Sequence, residues 1–206
     1  MALLFGIFEL IGTISFAISG AVEGIRHRMD LFGVMMLGVI TATGGGILRD
    51  LVIGFTPPQV FRNPTWAIVA LLVALLVFLL MKRFGSGAGR FSRALEGLNL
   101  VADTAGLAAF TVLGIESAGG NNAALLLFVG MITGVGGGVM RDVLAGTVPS
   151  IFRKHIYALA SAAGALADIL LMRILPGEIA MTIGFAVVVV IRLLAVHFRW
   201  NLPHIE

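Results

Sequence analysis

Long apolar runs constrain this chain more than any other feature of its sequence. A helix needs about 20 apolar residues to cross the hydrocarbon core of a bilayer. Ala67–Met81 and Ile179–Ile191 are the clearest examples, because neither contains a charged residue. Only 12% of the chain is charged, against about 25% in an average soluble domain. The sequence therefore predicts an all-α integral membrane protein with seven transmembrane helices, at roughly residues 3–24, 31–53, 65–82, 96–115, 122–145, 155–173 and 178–197.

The loops between these runs carry an uneven distribution of Lys and Arg. If all seven runs span the membrane, two basic residues fall on one side, Arg62 and Arg173. Nine fall on the other: Arg26, Arg28, Lys82, Arg83, Arg90, Arg93, Arg153, Lys154 and Arg199. Cytoplasmic loops are the ones enriched in Lys and Arg. This pattern predicts a plasma (inner) membrane protein with its N-terminus outside and its C-terminus in the cytoplasm. The pI of about 10.2 then reflects orientation and does not indicate nucleic-acid binding.

Two segments of the chain repeat each other without a gap. Residues 38–57 read GVITATGGGILRDLVIGFTP, and residues 130–149 read GMITGVGGGVMRDVLAGTVP, at an offset of 92. Each half then holds three spans, and an odd number of spans inserts the second copy upside down. The sequence predicts two inverted three-helix repeats plus a seventh helix. The first repeat covers residues 1–84, the second 85–175, and the seventh helix with a cytoplasmic tail 176–206, with a Gly/Ser-rich linker at 84–93.

The repeated motif joins three glycines to an Arg-Asp pair inside an apolar run. Each glycine weakens a helix by about 1 kcal/mol relative to alanine, and it allows a kink or a close backbone approach. Broken helices at equivalent places in two repeats are typical of a substrate or ion site near the membrane midplane. Small residues also let helices pack closely, and the sequence leaves this alternative open. The candidate site residues are Thr41, Gly44, Gly45, Gly46, Arg49, Asp50, Thr133, Gly136, Gly137, Gly138, Arg141 and Asp142.

The charges of the motif need partners, because charges inside a bilayer are costly. Neighbouring residues on a helix point about 100° apart, so we expect pairing between repeats, Arg49 with Asp142 or Arg141 with Asp50. Thr41 and Thr133 face a similar choice between the site and a carbonyl of their own helix.

Several other residues are assigned less specifically. Asp103 and Asp168 lie within spans and face either a pathway or a neighbouring hydroxyl. Glu9 and Glu23 are expected near the membrane interfaces, and residues 16–21 are expected to form a packing face. Three aromatic residues fit interfacial anchors: Trp66, Tyr157 and Trp200. Three prolines are expected to stop helices: Pro57, Pro58 and Pro149. The chain has no cysteine, its histidines lack metal-ligand spacing, and no nucleophile or phosphate-loop motif occurs, so neither an enzyme nor a cofactor is expected.

The stretch from Phe16 to Gly54, the TPP that follows, and the DTAGLAAFTVLG segment from Asp103 resemble the prokaryotic trimeric intracellular cation (TRIC) channel family. Bacterial members of that family are also classed under a glycine-transporter domain. The resemblance extends from about residue 5 to 195. It implies a homotrimer with a pore in each protomer, lined by kinked second and fifth helices and conducting potassium and, less selectively, sodium. It maps the pore kinks to Gly44–Gly46 and Gly136–Gly138 and the charged pore residues to the two Arg-Asp pairs.

The leading interpretation is therefore a monovalent cation channel, with membrane lipids and copies of the chain as its partners. Freed carbonyls and the two carboxylates would replace part of the hydration shell of a cation. A secondary transporter of a small zwitterion such as glycine is the alternative, since inverted repeats serve carriers as well. A purely structural membrane protein is the third. The residues alone do not separate channel from carrier.

Overall fold

The computed structural model describes residues 1–84, 90–153 and 156–200, and all regular structure in these ranges is helical. The helices are α1 (Ala2–Arg26), α2 (Leu31–Val52), α3 (Gln59–Arg62), α4 (Thr65–Phe84), α5 (Arg90–Ala118), α6 (Ala123–Leu144), α7 (Ser150–Arg153), α8 (Tyr157–Leu171) and α9 (Gly177–His197). Within the described ranges, α1, α2, α4, α5, α6 and α9 are long and apolar enough to cross a membrane, and α8 is a shorter apolar helix. The prediction of an all-helical membrane protein is confirmed.

Each of the seven apolar runs coincides with a helix, and the bounds agree to within a few residues at most ends. The sixth run forms α8, which has 15 residues, fewer than a straight crossing needs. The short helices α3 and α7 were not predicted, and each directly follows a proline expected to stop a helix. The predicted linker is shorter than expected, because α5 already begins at Arg90. Residues 85–89 of that linker, Lys154 and most of the predicted tail lie outside the described residues.

The helices α2 and α6 end in the same way. Gly54 and Gly146 follow them with φ of 76° and 72°, which glycine adopts without steric cost. The N–H of the residue after each glycine returns to a carbonyl in the last helical turn, at 2.8 Å to Asp50 and 2.9 Å to Asp142. This is the Schellman arrangement. It fixes where both helices stop and where the chain turns away.

Four helices form the centre of the molecule. The helices α1, α2, α5 and α6 pack against one another, α4 covers α1 and α2, and α8 and α9 cover the α5 side. The rings of Phe16 and Phe110 lie 5.3 Å apart in this core. A Cβ added to Gly12 would lie 3.0 Å from the ring of Phe110, and one added to Gly106 would overlap the ring of Phe16. This reciprocal contact means that α1 and α5 cross in antiparallel directions.

The outer surface of α4 is apolar. Ile68, Leu72, Leu76 and Leu80 recur every four residues and are all exposed. A stripe of this kind on a helix of mean hydropathy 2.5 is suited to contact with lipid or with another apolar helix and not with water.

Candidate functional site

The glycine motifs lie where α2 crosses α6. A Cβ added to Gly45 would overlap the carbonyl oxygen of Thr133, and one added to Gly137 would overlap the carbonyl oxygen of Thr41. As the residue number rises along one helix, it falls along the other, so the two helices run antiparallel. Both glycines are buried. Their absent side chains let two backbones touch, which is the packing role that the sequence left open.

The other glycines of the motif divide into two kinds. Gly44 and Gly136 extend the crossing, and a Cβ on Gly136 would lie 3.1 Å from the Cα of Gly45. Gly46 and Gly138 turn away from it. A Cβ on Gly46 would lie 3.9 Å, and a Cβ on Gly138 would lie 3.7 Å, from a guanidinium nitrogen of the arginine three residues later.

The expectation of broken helices at these glycines is wrong. Both α2 and α6 are continuous α-helix through the motif and end only at their Schellman turns. The low helix propensity of three glycines is offset here by close packing between the helices. Unwound carbonyls therefore do not face a pathway in this conformation.

The two motif threonines bond to their own helices. Thr41 Oγ1 donates to the carbonyl of Leu37 and Thr133 Oγ1 to that of Val129, each at 2.6 Å. Both side chains are fully buried. In this conformation each threonine therefore bonds a carbonyl of its own helix. The role of both threonines in a pore stays a prediction.

The first charged cluster consists of Arg49, Asp50 and Ser117. The Nε and Nη2 atoms of Arg49 both lie 2.8 Å from Oδ1 of Asp50, and Nη1 donates to Ser117 Oγ at 3.1 Å. The other carboxylate oxygen of Asp50 accepts the N–H of Gln59 at 2.7 Å. Asp50 thus ties the end of α2 to the start of α3.

The second charged cluster consists of Arg141, Asp142, Asp103 and Ser19. The guanidinium of Arg141 bonds Asp142 Oδ1 through Nε at 2.9 Å and through Nη2 at 2.8 Å. Its Nη1 reaches Asp103 Oδ1 at 2.6 Å and Ser19 Oγ at 2.5 Å. The second oxygen of Asp142 accepts the N–H of Ser150, the first residue of α7, at 2.7 Å. This cluster repeats the first and adds one carboxylate to it.

The expected pairing between repeats is wrong, because each arginine binds the aspartate that follows it. The long arginine side chain reaches past the 100° offset between neighbouring positions. The clusters also lie far apart, since Ser117 and Asp103 are separated by 14 positions on α5, about 21 Å at 1.5 Å per residue. The repeats are instead linked through hydroxyls, since Ser117 and Ser19 each bond the arginine of the opposite half.

A cavity opens at each cluster. The Glu9 cavity, about 300 Å³, contains the first cluster and is lined by Phe5, Glu9, Arg49, Asp50, Ile53, Phe55, Gln59, Asn63, Trp66 and Ser117. The Arg192 cavity, about 430 Å³, adjoins the second and is lined by Arg26, Glu96, Asn99, Leu100, Asp103, Arg141, Ser150, Arg192 and Val196. The first lies at the N-terminal end of α1 and the second at its C-terminal end. Glu9 therefore borders a charged cavity, whereas the sequence predicted only that it lies near a membrane interface.

Sequence reasoning missed Ser19, Ser117 and Arg192. Ser19 lies in a segment expected only to pack, and its contact with Arg141 corrects that. Arg192 could have been recognised as a candidate from the sequence, because it is a charge inside the last apolar run. The assignment of Tyr157 as an interfacial anchor is wrong, since its side chain is buried and the guanidinium of Arg192 lies 4.6 Å above its ring.

The chain is similar in sequence to known membrane proteins. A family model described as Glycine transporter matches residues 6–82 and 100–173. UPF0126 inner membrane protein YadS of Escherichia coli K12 is 38% identical over 200 residues, which cover 95% of this chain and 93% of that protein. A UPF0126 membrane protein of Deinococcus radiodurans is 46% identical over 161 residues, which cover 76% of this chain and 71% of that protein.

Solved structures give the same result. A prokaryotic TRIC channel crystallised in 0.5 M KCl has a TM-score of 0.89 and 29% identity, covering 98% of this chain and 100% of that one. A structure that explains conductance through TRIC cation channels has a TM-score of 0.84 and 36% identity, covering 98% and 97%. The TRIC orthologue of Rhodobacter sphaeroides has a TM-score of 0.84 and 30% identity, covering 95% and 98%. The chain belongs to the prokaryotic TRIC family. The resemblance drawn from its motifs is confirmed.

The chemistry of the site in this TRIC-family protein follows from the two clusters. Each presents a buried carboxylate whose position is fixed by an arginine and by a backbone N–H. Between the two cavities stand the glycine crossing and the Phe16 ring, where no side chain separates the backbones of α2 and α6. The arrangement places a charged cavity at each end of α1 and the crossing of α2 and α6 between them.

Proposed function

We propose that this TRIC-family protein is a monovalent cation channel that conducts potassium and, less selectively, sodium. Its pore runs through each protomer and is lined by α2 and α6. The observation that carries the proposal is the pair of charged cavities at opposite ends of the same helices, with the side-chain-free crossing of α2 and α6 between them. The likeness to TRIC cation channels at 36% identity supports it.

The proposed assembly is a homotrimer in the inner membrane, surrounded by lipid, with the N-terminus outside and the C-terminus in the cytoplasm. The solved relative from Rhodobacter sphaeroides is a trimeric cation channel, which supports the trimer. The antiparallel crossings of α1 with α5 and of α2 with α6 support two inverted repeats, residues 1–84 and 85–175, followed by a seventh helix in 176–206.

The proposed mechanism assigns a step to each part of the site. Asp50 and Asp142 attract a cation at the two mouths, and their arginines hold the carboxylates in place. In this conformation the crossing is closed, and conduction requires α2 and α6 to separate. The opened crossing then exposes Thr41, Thr133 and the glycine carbonyls as oxygen ligands for a passing ion. The process breaks no covalent bond and requires no cofactor.

Replacing Asp142 by Asn tests the pore directly. The change removes a fixed negative charge at one mouth and leaves Arg141 with one carboxylate instead of two, so we expect a severalfold lower potassium conductance in planar bilayers. Asp168→Asn is the control, because Asp168 is also a buried carboxylate but belongs to neither charged cluster, whereas Asp142 is bonded to Arg141 beside the Arg192 cavity. If Asp142→Asn leaves conductance and selectivity unchanged, Asp142 is not part of the pore.

Carriage of a small zwitterion such as glycine is the second candidate, and the description of the matching family favours it. A bound amino acid needs a cation and a carboxylate side by side, which each Arg-Asp pair offers. In this structure, however, each arginine is already bonded to its own aspartate. Purified protein in liposomes separates the two activities. Unitary potassium currents support the channel, whereas saturable glycine uptake without such currents supports the carrier.

A further inference from the structure

Arg192 of α9 is a buried cation with unused donors. Its side chain is 5% exposed, and among the described residues its Nε and Nη1 atoms have no hydrogen-bond partner. Its Nη2 lies 3.9 Å from Oδ2 of Asp103, which Arg141 already holds at 2.6 Å. Buried charges of this kind are costly and call for an explanation. The channel mechanism above does not use Arg192.

The Glu9 cavity contains no equivalent of Arg192. The helix α9 lies after both copies of the motif, and the charged residues lining the Glu9 cavity are Glu9, Arg49 and Asp50, two carboxylates and one guanidinium. Arg62 lies outside this lining, exposed and bonded to two carbonyls. One end of the pathway therefore carries one net negative charge.

The Arg192 cavity has the opposite balance. Its lining holds three guanidiniums and two carboxylates: Arg26, Arg141, Arg192, Glu96 and Asp103. The lining alone therefore carries one net positive charge, against one net negative charge in the lining of the Glu9 cavity. Arg26 and Arg141 are each paired with a carboxylate, Glu23 at 3.3 Å and Asp142 at 2.8 Å. Arg192 lies 3.9 Å from Asp103, which Arg141 already binds, and so adds a weakly paired positive charge to a lining that is more positive than that of the Glu9 cavity.

We propose that Arg192 makes the two mouths of the pathway electrostatically unequal, so that cations enter more readily through the Glu9 cavity than through the Arg192 cavity. The inference rests on the proposed channel function. With the predicted topology the Glu9 cavity opens to the outside, and the channel favours entry of cations into the cell.

The physical basis is the field of a cation that no buried anion fully neutralises. Charged clefts with low-dielectric walls focus the field and change the local ion concentration severalfold or more. The effect depends on salt, because the Debye length falls from about 10 Å at 0.1 M to about 3 Å at 1 M. An inequality between the mouths therefore shows as a current that depends on the sign of the voltage at low salt and loses this dependence at high salt.

Single-channel currents in symmetric KCl test the proposal without sorting channels by orientation. At 0.1 M we expect the larger and smaller currents at opposite voltages to differ about twofold or more, and at 1 M to converge. Arg192→Gln should raise the smaller current and bring the ratio close to one. Glu9→Gln should reach a similar ratio by lowering the larger current. Arg192→Lys keeps the charge and should keep the ratio, even though it alters packing on Tyr157.

Arg199→Gln is the matched control, since it removes one positive charge from the same end of α9 but lines neither cavity. We expect its ratio to equal that of the wild type. If Arg192→Gln conducts with an unchanged ratio, or Arg199→Gln shifts it equally, the inference is wrong while the channel stands. If Arg192→Gln fails to fold, the Glu9→Gln and Arg192→Lys results decide in its place. Wild-type protein without any current overturns the proposed function itself.

Discussion

Replacing Gly45 by alanine perturbs the crossing of α2 and α6 at its tightest point. The added methyl group would overlap the carbonyl oxygen of Thr133, and backbone on both sides prevents either atom from turning away. The neighbouring Gly46 provides the comparison. A Cβ there would meet only the flexible end of Arg49, at 3.9 Å.

The expected magnitude follows from two opposing effects. Alanine favours a helix over glycine by about 1 kcal/mol, and this gain is the same at both positions. Overpacking of a close contact costs about 1–3 kcal/mol. Gly46→Ala should therefore be neutral or slightly stabilising, and Gly45→Ala should have a free energy of unfolding lower than that of Gly46→Ala by about 1–3 kcal/mol. The difference between the variants isolates the contact from helix propensity.

Reversible unfolding in mixed detergent micelles, followed by circular dichroism, measures the two free energies. The comparison needs no assumption about transport, because it concerns packing alone. Equal free energies of unfolding for Gly45→Ala and Gly46→Ala would refute the claim that α2 and α6 touch through their backbones.

Two further substitutions test the charged cluster and a helix cap. Arg141→Gln leaves Asp103 and Asp142 buried without their cation and should cost about 3–5 kcal/mol. Arg49→Gln should cost less, because it removes a more exposed guanidinium (15% against 5%) and leaves a single carboxylate, which keeps its bond from Gln59. Similar losses in chemical unfolding would contradict this order. Asp30→Ala removes the bond at 2.8 Å to the N–H of Gly33 that caps α2 and should cost about 1 kcal/mol in the same assay, whereas Asp30→Asn should retain most of the stability.

The helices of this fold could be predicted from the sequence because each apolar run is long, holds few charges and is bounded by charged, polar, proline or glycine residues. The glycine motif was also located correctly, but its local structure was not predicted. Glycine lowers helix propensity by a known amount, yet whether a helix breaks depends on the partner that packs there. At Gly45 the partner is Thr133, 88 positions away in the chain, and no local pattern reveals it.

The partners of the charged residues could not be predicted from the sequence either. The sequence correctly marks Arg49, Asp50, Arg141 and Asp142 as needing partners. Their pairing depends on the reach and rotamer of a long side chain, which helical periodicity does not fix. The contact of Arg141 with Ser19 spans 122 positions and joins a charge to an ordinary hydroxyl. Contacts of this kind become visible only when the helices are assembled.

The smooth crossing of α2 and α6 also has a mechanical consequence. Helices usually hold their relative angle because side-chain ridges of one sit in grooves of the other. Where Gly45 meets Gly137 the backbones touch directly, and side chains pack only beside the contact, Met140 at Gly44 and Leu48 at Gly136. We therefore expect the angle between α2 and α6 to change more easily here than at an ordinary contact between helices. Each helix carries an Arg-Asp pair near its C-terminal end, and each aspartate accepts a hydrogen bond from the first residue of the short helix that follows. A small tilt at the centre is then expected to move α3 and α7 together, at opposite ends of the helix bundle.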